Sequence, residues 1–171
     1  EIVTEEHLEF ILEKTSEFDA IVVGPGIGKQ EQTQNAVAEL VKNCNNIVLD
    51  ADAIFDFNFK HPNILLTPHR GELKRLTPSS RPVDLLKYAS EKGVTLLIKG
   101  EVDIITDGNL MKENSSGHPR MAVGGTGDVL AGVCGALMAK GLTPFESARL
   151  AAYSLGKAGE ICYEEIGSGF L

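Results

Sequence analysis

The residues best suited to chemistry are Val123-Gly124-Gly125-Thr126-Gly127-Asp128, which run directly into a helical pattern through Val129, Leu130, Val133, Ala136 and Leu137. Glycines at a helix start let backbone N–H groups approach an anion closely, and the helix dipole adds a favourable potential for phosphate. Gly125, Thr126 and Gly127 are thus expected to form an anion hole. Asp128 falls in the first turn, where a carboxylate can orient and deprotonate an attacking hydroxyl. The plainer alternative is a helix cap at Asp128 and glycines that serve only a turn.

Four further motifs follow apolar runs in the same way. Gly24-Pro25-Gly26-Ile27-Gly28 comes after Ala20 to Val23, so Gly26 and Gly28 are expected at the carboxyl end of a strand, where open α/β sheets bind ligands; a tight turn is the alternative. Asp50 and Asp52 end the next run, and two carboxylates there can hold Mg²⁺ through water or cap a helix. In Thr67-Pro68-His69-Arg70-Gly71-Glu72, His69 and Arg70 are placed to meet an anionic ligand. Glu72 either joins a metal shell or caps the short helix that follows. Lys99-Gly100 closes another run, with Lys99 a candidate phosphate or adenine-side contact; alone it would read as a solvated lysine. Convergence carries the weight, because five polar or glycine-rich motifs, each read as following a predicted strand, describe one shared cleft.

The elements that must position them alternate. Ala20 to Val23, Ile47 to Leu49, Ile64 to Leu66 and Thr95 to Ile98 are short apolar runs expected of buried parallel strands. Helical patterns lie at Gln30 to Lys42, Pro82 to Lys92 and Pro144 to Glu164, which predicts an α/β sheet with right-handed crossovers. Asp103 to Thr106, Asp107-Gly108 and Asn109 to Lys112 predict a hairpin with a two-residue turn, making the sheet mixed. Glu113 to Gly124 is the most irregular stretch and long enough for a functional loop.

Bulk properties narrow the partners. A chain of 171 residues with 43% hydrophobic residues is expected to form one domain over residues 1–171. A net charge of -8 disfavours nucleic acid and anionic lipid, leaving small molecules as the expected partners. Cys44, Cys134 and Cys162 show neither metal spacing nor a disulfide framework, which fits a reducing cytoplasm, and the apolar run Val129 to Ala139 is too short to span a bilayer. Residue 1 is glutamate, so the chain is read as a processed product or a fragment.

The ordered series GPGIG, LDADA, LTPHRGE, IKG and NSSGHPRMAVGGTGDVLAG, closed by an alanine-rich helix, resembles the C-terminal, kinase-like domain of the NAD(P)H-hydrate dehydratase family, over essentially the whole chain. GGTGD alone points only to ribokinase-like folds, whereas TPHRGE together with MAVGGTGDVLAG is much more specific. The resemblance implies a three-layer α/β/α sandwich with a mostly parallel sheet. It implies ADP- or ATP-driven dehydration of hydrated NADH and NADPH (NADHX, NADPHX), with Mg²⁺. Carried over, Gly28, His69 and Asp128 would contact the hydrated nicotinamide nucleotide. Lys99, Gly100, Glu101, Val102 and Asp103, with Gly127, would hold the adenine nucleotide. Arg70 and Gly117-His118-Pro119 depart from the family's usual TPHPGE and GNP. Family domains also carry roughly another hundred residues ahead of this segment, a size still normal for one domain; the resemblance thus implies a sheet that lacks its first strands and exposes an edge, and a homo-oligomer is expected. Two alternatives stay open: a small-molecule kinase of the same fold acting on a sugar or a vitamin-precursor alcohol, and a non-catalytic nucleotide-binding module.

Overall fold

The structure, a computed structural model, describes residues 5–57 and 60–169. Glu1, the ground for reading a processed chain, lies outside them. The chain runs α1 (Glu5–Thr15), β1 (Ile21–Val23), α2 (Glu31–Asn43), β2 (Ile47–Leu49), β3 (Ile64–Leu66), α3 (Arg70–Leu73), α4 (Pro82–Lys92), β4 (Thr95–Ile98), β5 (Asp103–Thr106), β6 (Met111–Asn114), α5 (Thr126–Ala139) and α6 (Pro144–Ile166). The strands form one six-stranded sheet in the order β1-β2-β3-β4-β5-β6. β1 to β4 pair in parallel, and β5 and β6 add an antiparallel hairpin.

Period-two alternation in the buried strands makes three layers. Ile47, Leu49, Ile64, Leu66, Leu96 and Ile98 meet α2 and α4 through Val37, Leu40, Val41, Leu85 and Ala89. The intervening Val48, Leu65 and Leu97, with Ile105, face Leu130, Ala131, Cys134 and Met138 of α5 and Ala148, Ala151 and Ala152 of α6. Both faces of β2, β3 and β4 are therefore dry, as the centre of a parallel sheet demands. Small residues let α5 sit close: a Cβ on Gly135 would stand 2.5 Å from Cγ2 of Val22.

Local chemistry sets the helix ends. α6 starts with Pro144 after a capping box, in which Thr143 Oγ1 accepts from the Glu146 N–H and the Glu146 carboxylate accepts from the Thr143 N–H at 3.0 Å, a device worth about 1 kcal/mol. α4 begins with Pro82 and stops at Gly93 with φ 67°, as a left-handed cap requires. Two features differ from the sequence reading. α1 was not expected, yet it folds because Leu8, Ile11 and Leu12 fall on one face and pack on the first core. The hairpin turn spans four residues rather than two: Thr106 pairs with Met111. Asp107 Oδ1 accepts from the N–H groups of Asn109 and Leu110 at 2.8 Å each, and this carboxylate cap favours the wider loop over a tight Asp-Gly turn.

Candidate active site

Parallel pairing brings the carboxyl ends of β1 to β4 to one edge of the sheet. At its centre stands Asp50, just past β2 and 1% exposed. Its Oδ1 accepts from Lys99 Nζ at 2.7 Å and from Thr67 Oγ1 at 2.8 Å. Lys99 follows β4 and Thr67 follows β3, so three strand ends meet in one network. Gly24, just past β1, completes the floor: with φ 141°, its Cβ would fall 2.6 Å from the Asp50 carbonyl carbon, so only glycine lets the two backbones touch. Burial, followed by the Asp50 charge, pushes the Cys134 thiol beneath the network up to about 12.

α5 delivers its amino end onto this centre. A Cβ on Gly127 would lie 3.2 Å from Lys99 Nζ and 3.8 Å from Asp50 Oδ2. Gly125 caps the helix in the left-handed region, φ 94°, with no side-chain hydrogen bond. Val129 N–H is the first to reach back to Gly125, and the N–H groups of Gly127 and Asp128 find no acceptor among the described residues. Two aligned donors, a helix dipole and an ammonium thus converge, the makings of a phosphate site. Asp128 is exposed and its carboxylate makes no hydrogen bond or ion pair among the described residues. It does not cap α5.

His69 stands at the same edge, since it bridges to Lys99 in parallel and Lys99 N–H donates to the Pro68 carbonyl at 2.8 Å. Its imidazole is exposed but occupied locally. Nδ1 accepts from the Gly71 and Glu72 N–H groups at 2.9 and 3.2 Å, which leaves the proton on Nε2, 3.3 Å from Glu72 Oε1. The other Glu72 oxygen accepts from the His69 N–H at 2.9 Å. Glu72 therefore serves the cap of α3, the second of the two roles its position allowed.

The expected metal set does not assemble. Among the described residues, no group of three His, Cys, Asp or Glu is placed to hold a metal ion. Asp50 is ion-paired to Lys99, Glu72 belongs to its capping box, and Asp52 turns toward the glycine loop, taking the Gly28 N–H at 3.2 Å and Lys29 Nζ at 3.3 Å. Asp52 thereby shapes Gly24 to Gly28, and Gly26 and Gly28 hold φ values of 74° and 80° in that loop.

Lys99 to Asp103 form a turn between β4 and β5 in which Gly100 N–H donates to Asp103 Oδ1 at 3.0 Å, leaving Glu101 and Val102 exposed. Asp103 is thus a shaping residue of the turn, and its second oxygen takes Asn114 Nδ2 at 3.0 Å. Asn114 and the glycines of α6 have no role in the sequence reading, because their part depends on neighbours brought from afar.

The chain and its fold match known proteins. The family model described as NAD(P)H-hydrate dehydratase matches residues 1–171. The chain is 39% identical over 164 residues to the bifunctional NAD(P)H-hydrate repair enzyme Nnr of Archaeoglobus fulgidus, covering 96% of this chain and 34% of that protein. It is 41% identical over 160 residues to the ADP-dependent (S)-NAD(P)H-hydrate dehydratase of Cenarchaeum symbiosum, covering 85% of this chain and 55% of the relative. The chain thus spans about a third to about half of the length of these relatives. The ADP/ATP-dependent NAD(P)H-hydrate dehydratase of Bacillus subtilis, co-crystallised with ATP and Mg²⁺ and soaked with CoA, superposes with a TM-score of 0.80 at 25% identity, over 94% of this chain and 65% of that one. A pyridoxal kinase of Staphylococcus aureus, at 22% identity and a TM-score of 0.68, shares the ribokinase-like fold alone. Matched from end to end by one family model, and nearly so by relatives of that name, the chain belongs to the NAD(P)H-hydrate dehydratase family.

Proposed function

We propose that the protein catalyses nucleotide-dependent dehydration of hydrated NADH and NADPH, as a cytoplasmic lyase that repairs damaged nicotinamide cofactors. The observation that carries this reading is the meeting of the α5 amino end, Lys99 and the exposed Asp128 carboxylate at one sheet edge, in a chain 41% identical to an ADP-dependent dehydratase. Hydroxide is a poor leaving group, so the ring hydroxyl needs activation. Its oxygen attacks the terminal phosphorus of ADP or ATP, the bond to the bridging oxygen breaks, and AMP or ADP departs. The hydroxyl proton passes to Asp128. A carboxylate beside a helix amino end is a weak base, which suffices for a loose transition state. The ring nitrogen's lone pair then expels inorganic phosphate, and loss of the neighbouring ring proton restores the double bond.

The N–H groups of Gly127 and Asp128, with Lys99, stabilise charge on the transferred phosphoryl group. Gly125, Thr126 and Gly127, with the Lys99 to Asp103 turn, hold the nucleotide; Gly26, Gly28 and His69 face the nicotinamide side. His69 there acts as an Nε2 donor set by its own cap. Mg²⁺ would enter with the nucleotide's phosphates, since Asp50, Asp52 and Glu72 are each held by another group of the protein. The test incubates protein with hydrated NADH and ADP or ATP, following NADH at 340 nm in ~1 mM substrate and phosphate by colorimetry. One NADH per phosphate, with no phosphorylated end product, is expected. A stable phosphate ester, or no turnover with either nucleotide, refutes it.

A further inference from the structure

The loop from β6 to α5 delivers the Gly125 to Asp128 turn, yet between Asn114 and Thr126 it contains only one short 3-10 turn, Pro119–Met121. Its shape comes from α6. Ser116 Oγ lies 3.3 Å from the Tyr153 carbonyl oxygen, and Gly117 N–H donates to Glu160 Oε1 at 2.9 Å. The His118 ring stacks on Tyr163 with centroids 3.7 Å apart and planes 19° apart. Two glycines make the room: a Cβ on Gly156 would fall 2.7 Å from the backbone carbon and oxygen of Ser116, and one on Gly159 would fall 2.8 Å from Met121 Cγ.

Tyr153, Gly156, Gly159, Glu160 and Tyr163 lie three and four residues apart, the spacing of one helix face. Glycine is among the poorest helix formers, so two of them inside α6 are a local loss offset by the loop they admit. From Met121 the path to the anion hole is short: Val123 N–H donates to the Met121 carbonyl at 2.9 Å, and Thr126 N–H to the Val123 carbonyl at 3.4 Å. At its other end the loop is tied to the Lys99 to Asp103 turn, through Ser116 Oγ to Asn114 Oδ1 at 2.7 Å and Asn114 Nδ2 to Asp103 at 3.0 Å.

We propose that this face of α6 is a docking track whose residues Gly156, Gly159 and Glu160 are positioning residues: by seating the 115–123 loop, they hold the α5 amino end and the Lys99 turn in register for the nucleotide. The proposal rests on the reading that this end of α5 binds nucleotide phosphate. A purely helical role predicts the opposite sign for alanine, because Gly156→Ala improves helix propensity.

Amide hydrogen exchange and ADP calorimetry on the folded protein test it. In Gly156→Ala, exchange over residues 116–128 accelerates about tenfold or more while β2 to β4 stay protected, and the ADP dissociation constant rises about tenfold. Unchanged exchange in the loop overturns the proposal. Should Gly156→Ala fail to fold, Gly159→Ala decides, since the atoms nearest its added Cβ belong to the flexible Met121 side chain. It loosens the loop, and adding Met121→Ala restores loop protection and ADP affinity to within about twofold. A double variant no better than Gly159→Ala overturns the proposal as well. A wild-type protein that binds neither ADP nor ATP refutes the nucleotide reading instead, and the exchange pattern still decides the docking.

Discussion

Lys99 and Asp50 form an ion pair whose two ends differ sharply in access to water, and that asymmetry sets what each substitution costs. The Asp50 side chain is 2% exposed and the Lys99 side chain 21% exposed, with 2.7 Å between Nζ and Oδ1. Lys99→Met strands a carboxylate that cannot reach solvent and keeps only the Thr67 hydroxyl at 2.8 Å. Breaking a buried pair from one side costs about 3–5 kcal/mol, and the partial exposure of Lys99 places this case at the low end, about 3 kcal/mol. For a domain of this size each kcal/mol moves Tm by about 2–4 °C, so a drop of roughly 6–12 °C is expected. Asp50→Asn strands an ammonium instead, but a lysine head can swing along its stem toward water, so its loss is expected at about 1–2 kcal/mol. The double variant Asp50→Asn/Lys99→Met removes both charges and recovers at least half of the Lys99→Met loss. Urea and thermal unfolding of the four proteins measure the cycle. Equal losses for the two single variants, or a double variant as unstable as the sum of its parts, would sink the reasoning that desolvation of Asp50 decides the site's energetics.

Other consequences are separable. Asp128→Asn leaves Tm within about 1 °C, since the side chain makes no bond in the fold, but lowers turnover of hydrated NADH by about two to four orders of magnitude; near-normal turnover would move the proton acceptor elsewhere. Gly24→Ala puts a methyl group into the Asp50 backbone and is expected to yield insoluble protein on expression, so a soluble variant of unchanged Tm would refute the close approach. Iodoacetamide at pH 8 labels the half-buried Cys162 first, while the buried Cys44 and Cys134 react only after unfolding, as read by peptide mass spectrometry. The Cys134 thiol, raised from 9.0 to about 12, stays protonated in the fold at pH values where the unfolded chain ionises. Its share of stability is therefore full below pH 9 and lost as pH rises toward 12, and a Cys134→Ala variant should show a flatter stability profile over that range.

Much of this protein is legible along the chain because its signals are local. The buried strands announce themselves as apolar runs ending in Gly, Asp or Lys, and a parallel sheet has to bring those ends to one edge. That logic alone gathers Gly24, Asp50, Thr67, Lys99 and, through the helix that follows it, Gly127. The roles of the polar groups are another matter, since they depend on which oxygen meets which donor across strands. Asp50, Asp52 and Glu72 share one chemistry in sequence and serve three different partners in space: the Lys99 ammonium, the Gly28 amide and the amide of His69. The glycines of α6 are silent in sequence for the same reason, because a missing Cβ has meaning only once the loop from β6 lies against it. Periodicity and turn chemistry act over a few residues and can be read in one dimension. Desolvation and close packing act between residues tens of positions apart, so only the tertiary structure assigns them.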